Sequence, residues 1–155
     1  MRLIAGIALT LALAACAHAS AANQTPQPAA TRDAALAERL GADERGMRQY
    51  VLVILRTGPY TPPTPEERST LFAGHFANIQ RLADEGKLII AGPIGQNERQ
   101  YRGVFVFAVA TIEEAQALVA TDPTVAAGVF VAELYPWYGS AALMETPDIH
   151  RRIAP

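Results

Sequence analysis

Four short apolar runs alternate with two longer stretches in which apolar residues recur at helical spacing. Tyr50–Leu55 (YVLVIL), Leu88–Ala91 (LIIA), Val104–Val109 (VFVFAV) and Val129–Tyr135 (VFVAELY) are rich in branched and aromatic residues. Gly, Pro or polar residues bound each of them, a pattern that predicts strands. Leu71, Phe72, Phe76, Ile79, Leu82 and Ala83 form a stripe on one helix face between the first two runs. Thr64-Pro65-Glu66-Glu67 opens that helix, with Thr64 as N-cap, Pro65 in the first turn and Glu67 closing a capping box; Gly86 is placed to end it. Thr111-Ile112-Glu113-Glu114 opens a second helix, which runs to about Thr121 and is interrupted by Asp122-Pro123. Pro136 is expected to end the last strand.

The order βαββαβ predicts an α+β fold, a ferredoxin-like sandwich with two helices on one face of a four-stranded antiparallel sheet. Both alternating faces of YVLVIL and VFVFAV are apolar, whereas two helices cover only one face of a sheet. An apolar face left open in this way predicts a homodimer formed through it.

The N-terminus reads as an address. Arg2 precedes an apolar run, Leu3–Ala15, that is too short to span a bilayer and has the pattern of a signal peptide over residues 1–15. Leu13-Ala14-Ala15-Cys16 resembles a bacterial lipobox, so Cys16 is the expected lipidation site. The protein would then be exported and held by a lipid anchor, on the periplasmic side of the cell envelope. Ala17-His18-Ala19 offers a competing cleavage site whose use would give a soluble secreted or periplasmic protein. Residues 16–47 read as a tether, rich in Ala, Pro and Gln to Arg32, with a possible short amphipathic helix over Asp33–Glu44 broken at Gly41. Residues 48–138 form the expected domain, and 139–155 a C-terminal tail.

Composition narrows the chemistry. Half the residues are hydrophobic and 18% are charged, enough for one ordinary core. The net charge is −2, and every basic residue except Lys87 is arginine, so no basic excess points to a nucleic-acid partner. A single cysteine excludes an internal disulfide. His18, His75 and His150 are too dispersed to suggest a Cys/His zinc site. No Gly-rich phosphate motif occurs, so no cofactor is expected.

One residue breaks the stripe of the first helix. On a wheel of about 100° per residue, His75 falls in the same arc as Phe72 and Ile79. A histidine there must find a hydrogen-bond partner. It is either a core histidine satisfied by a backbone carbonyl or half of a functional pair. In the expected topology the second helix ends on the same face at Asp122, which makes a His75–Asp122 contact plausible. Asp122-Pro123 is also a good helix start, and one carboxylate has acceptor sites for both roles.

These residues resemble the YCII-related family. His75, Glu85–Leu88 (EGKL), Ala91–Pro93 (AGP), Thr111–Ala115 (TIEEA) and Asp122-Pro123 match its spaced motifs, over roughly Gln49–Tyr138. The resemblance implies a dimeric α+β barrel and a His–Asp active-site dyad, which falls on His75 and Asp122. The fold is shared with muconolactone isomerase-type enzymes and with a dehydrochlorinase, an analogy that licenses only a reaction class.

Two functional readings follow. In the first, the protein is a small-molecule enzyme in which His75 is general acid/base and Asp122 orients it. It would perform isomerase- or lyase-type proton transfer on a small organic acid, with Gly92, Pro93 and Arg102 as substrate-binding candidates. In the second, the same pocket belongs to a non-catalytic ligand-binding or structural dimer module of the cell envelope. Arg99 is a further candidate for a substrate carboxylate. Tyr135, Trp137 and Tyr138 could line a pocket or a dimer edge, Glu133 could pair across the dimer or face the pocket, and His150 reads as a surface residue of the tail.

Overall fold

Each apolar run forms a strand, and each Thr-led capping sequence starts a helix. The computed structural model describes residues 31–154, and those from Arg32 onward form one unit. The signal peptide, the lipobox with Cys16, and most of the tether lie outside the described residues. The elements are α1 (Ala34–Arg39), β1 (Met47–Thr57), α2 (Pro65–Asp84), β2 (Leu88–Pro93), β3 (Tyr101–Phe107), α3 (Ile112–Val119), α4 (Pro123–Ala126), β4 (Phe130–Ser140), a 3-10 turn (Ala141–Glu145) and α5 (Thr146–Ile153). Among the described residues no helix is long and apolar enough to cross a membrane.

The sheet is antiparallel with strand order β2-β3-β1-β4, the α+β sandwich expected from the element order. Side chains alternate between its faces. Val51, Val53 and Leu55 of β1, with Phe105 and Phe107 of β3, face α2 and α3 and form the main core with Leu82, Ala115 and Val119.

Local chemistry sets the helix ends. The Thr64 hydroxyl accepts from the Glu67 N–H at 3.2 Å, and Pro65 occupies the first turn. The Glu67 carboxylate does not return to Thr64 as the box pattern suggests; it accepts a hydrogen bond from the Tyr60 hydroxyl. Gly86, at φ +66°, lets the chain turn out of α2. Thr111 caps α3 through the Glu114 N–H.

Beyond shifts of a few residues at the ends of β1, β2, β3 and α3, three boundaries differ from the sequence reading. Strand β4 does not end at Pro136 but continues to Ser140, with Pro136 opposite Val51. As an edge strand it has only one neighbour, so a residue without an N–H is tolerated. The short helix read over Asp33–Glu44 forms as α1, capped by Asp33 and ended before Gly41, but it belongs to the folded unit and not to a tether: Leu40 is buried, and Arg48 donates to the Leu40 carbonyl at 3.0 Å.

The third difference concerns the tail. Residues after Ser140 fold back, and Leu143 and Met144 pack with Tyr50, Ile89, Val106 and Trp137 on the sheet face away from α2 and α3. The open apolar face is therefore smaller than the strand pattern alone suggests, because the chain covers one end of it. At the other end Val131 and Tyr135 remain 46% and 47% exposed.

Candidate functional site

Helix α2 carries His75 into the sandwich among phenyl rings. Phe105 stacks on the imidazole, with ring centroids 6.0 Å apart, and Phe72, Phe76 and Phe130 meet it edge-on. His75 is 7% exposed, so its polar nitrogens need partners.

The short helix α4 supplies one. Asp122, fully buried at its N-cap, places Oδ2 2.6 Å from His75 Nδ1. A carboxylate only accepts, so Nδ1 carries the proton and donates it, and the unprotonated nitrogen of the neutral ring is Nε2. Nε2 has no hydrogen-bond partner among the described residues. The other Asp122 oxygen, Oδ1, accepts from the Thr124 N–H at 2.9 Å and from the Thr124 hydroxyl at 2.7 Å. Asp122 is thus both helix cap and histidine partner. Burial alone would push its carboxyl upward, but the hydrogen bonds from His75 and Thr124 outweigh that and hold it below the ordinary carboxylate value.

His75 opens onto a cavity of about 370 Å³. Phe72, Phe76, Phe105 and Phe130 form much of its wall, and Gly92, Pro93 and Arg102 lie at its β2–β3 side. This volume suits a small molecule, and its lining is apolar with a few polar groups, the usual character of a ligand site. Among the described residues Arg102 makes no ion pair, which leaves its guanidinium available. Among the described residues no three His, Cys, Asp or Glu side chains gather as metal ligands would.

The structure brings His75, Asp122, Gly92, Pro93 and Arg102 to one place. Other candidates go elsewhere. Glu133 pairs with Arg56 of its own chain at 2.7 Å on the opposite sheet face and also accepts from the Tyr135 hydroxyl. Trp137 packs on Tyr50, and the Tyr138 hydroxyl donates to Asp43. Arg99 lies on the exposed loop between β2 and β3 and does not line this cavity. His150 is exposed on α5. Thr124 and the phenyl box escaped the sequence reading. A hydroxyl two residues after the Asp cap was the available signal for Thr124, since such residues bond their neighbours locally.

A two-layer α+β domain with a buried histidine–carboxylate pair opening onto a small apolar cavity is the class that fold and site define together. More specifically, the chain belongs to the YCII-related domain family, whose sequence profile matches residues 49–138. It is similar to Protein YciI of Escherichia coli O6:H1 (strain CFT073) and to Protein YciI of Shigella flexneri. Each is 38% identical over 72 residues, covering 42% of this chain and 74% of the relative. Among solved structures, it resembles a 5-chloro-2-hydroxyhydroquinone dehydrochlorinase from Burkholderia phenoliruptrix AC1100 in complex with 2,5-dihydroxybenzoquinone. That match has a TM-score of 0.40 at 23% identity, over 56% of this chain and 92% of the other.

Proposed function

We propose that this protein is an enzyme that moves a proton on a small organic acid, by isomerisation or elimination. The observation that carries the reading is the buried Nδ1–H donated to Asp122, on a histidine that walls a ligand-sized cavity. With Nδ1 committed, neutral Nε2 is the base. It takes a proton from carbon, and the resulting imidazolium is balanced by the adjacent carboxylate. In an isomerisation the same proton returns to another carbon of the substrate. In an elimination the substrate expels a leaving group, and the imidazolium gives its proton to solvent. Arg102 pairs with the substrate carboxylate, and the Gly92-Pro93 turn shapes the cavity rim.

In the same proposal the protein works as a homodimer through the open end of the sheet face, where Val131 and Tyr135 are exposed. It is exported and tethered by lipid on Cys16 at the periplasmic side of the envelope.

Proton transfer is testable without knowing the physiological substrate. A panel of small unsaturated and cyclic carboxylic acids would be incubated with the protein in D2O and followed by NMR for deuterium entering carbon. The expected result is exchange in at least one acid that is lost in His75→Ala while the acid still binds. Binding with no exchange in any acid would instead favour a ligand-binding module, and exchange that persists in His75→Ala would sink the assignment of the base.

A further inference from the structure

The C-terminal helix α5 lies beside the edge strand β2. A second cavity, of about 430 Å³, lies between α2, β2 and α5. Ile79 and Ala91 line both this groove and the His75 cavity, which makes the two neighbours. The groove runs along the outer edge of β2, where Ala83, Leu88, Ile89 and Ile90 line it, and Pro147 and Ala154 close it from the α5 side. Gln80, Thr146 and His150 are also among its lining residues, so its walls are mixed. The Arg151 guanidinium is already paired with Asp148, and the Asp84 carboxylate, held by the Gln80 amide at 2.9 Å, stands on the rim. The far wall comes from residues beyond the 49–138 segment that matches the family.

We propose that the groove holds the uncharged, apolar tail of an elongated carboxylic acid whose head group lies between His75 and Arg102. The placement of the head group rests on the function proposed above; the placement of the tail rests on the groove. Ile79 is the saddle between the two halves. Helix α5 sets how long a tail fits, which makes it a determinant of specificity supplied by a segment outside the family domain.

Straight-chain alkanoates from butanoate to decanoate are suitable probes, titrated calorimetrically into the full chain. Once the tail passes Ile79, affinity is expected to rise about fourfold for each methylene added, the usual return on burying a CH2 group. Ala83→Trp, which fills the groove from the α2 side, is expected to flatten that dependence. Ala154→Trp fills the groove from the opposite wall near the chain end, and it serves the same purpose if Ala83→Trp does not fold. Equal affinity at every length overturns the proposal. So does a length dependence that neither tryptophan alters, because the acids would then be binding elsewhere. Arg102→Ala separates the two halves. A uniform loss of affinity at all lengths supports the head-group assignment, whereas an intact length series that ignores Arg102 overturns that assignment and leaves the groove standing.

Discussion

Gly74 touches Pro123 so closely that a β-carbon on the glycine would lie 2.8 Å from the proline Cγ. The next residue along α2 is His75, and the residue before Pro123 is Asp122. The contact between helix α2 and helix α4 therefore sets the separation of the pair beside it. Gly74→Ala forces the two helices apart and is expected to destabilise the domain by about 1–3 kcal/mol, in the range of other overpacked sites. It should also lower any His75-dependent exchange more than a stability loss of that size explains, measured on the fraction of protein still folded.

Replacing Asp122 is expected to cost more when the acceptor disappears altogether. Asp122→Ala leaves the His75 Nδ1–H only the Thr124 hydroxyl at 3.3 Å, takes the acceptor from both Thr124 donors and removes the cap of α4. A loss of about 3 kcal/mol is expected from donors left unpaired and a cap removed. Asp122→Asn keeps one carbonyl acceptor and should lose about 1–2 kcal/mol. Urea unfolding of both variants, with the m-value unchanged from wild type, checks the order.

Acid should remove part of the wild-type advantage. The folded-state pKa of Asp122 lies below its ordinary 3.8, because the bonds from His75 and Thr124 outweigh burial. The folded state therefore binds this proton less readily than the unfolded chain does. The stabilisation is complete above the ordinary value and is lost as pH falls from there through the lower folded value. The stability difference between wild type and Asp122→Asn, followed by urea unfolding, should shrink as pH falls through about 4.

The exposed end of the sheet should report on assembly. Val131 and Tyr135 stand on the face opposite α2, beyond the reach of the turn that carries Leu143 and Met144. Light scattering is expected to give twice the monomer mass. Val131→Asp, which places an unpaired charge in that patch, should give monomer with an unchanged circular dichroism spectrum. A monomeric wild type would refute the dimer.

Much of this architecture was legible in the sequence because local signals agreed. The Thr64-Pro65 and Thr111 starts, Gly86, and the apolar runs all pointed to the same elements. His75 stood out because it is polar on an apolar stripe, and Asp122 because topology returns it to the same face. Residues whose roles depend on distant packing were not legible. Glu133 could not be assigned until Arg56, diagonal to it on the neighbouring strand, was seen to pair with it. The tail looked like a tail because Ala141-Ala142-Leu143-Met144 is too brief an apolar run to show a period, and what Leu143 and Met144 cover lies on other strands. Pro136 misled for the opposite reason: a local rule about proline gave way to its place on a sheet edge.

The residues of the His75–Asp122 bond are 47 positions apart, with β2, β3 and α3 between them in the chain. No single loop can carry this pair, and none can release it by fraying. The bond is in place only when the hairpin of β2 and β3 and the second capped helix are also in place, so it reports on the assembled sandwich and not on one local element. Its proton is correspondingly a gauge of completeness. The Nδ1–H should exchange with solvent deuterium more slowly than that of the exposed His150, and a chain that has lost α5 but kept the sandwich should still protect it.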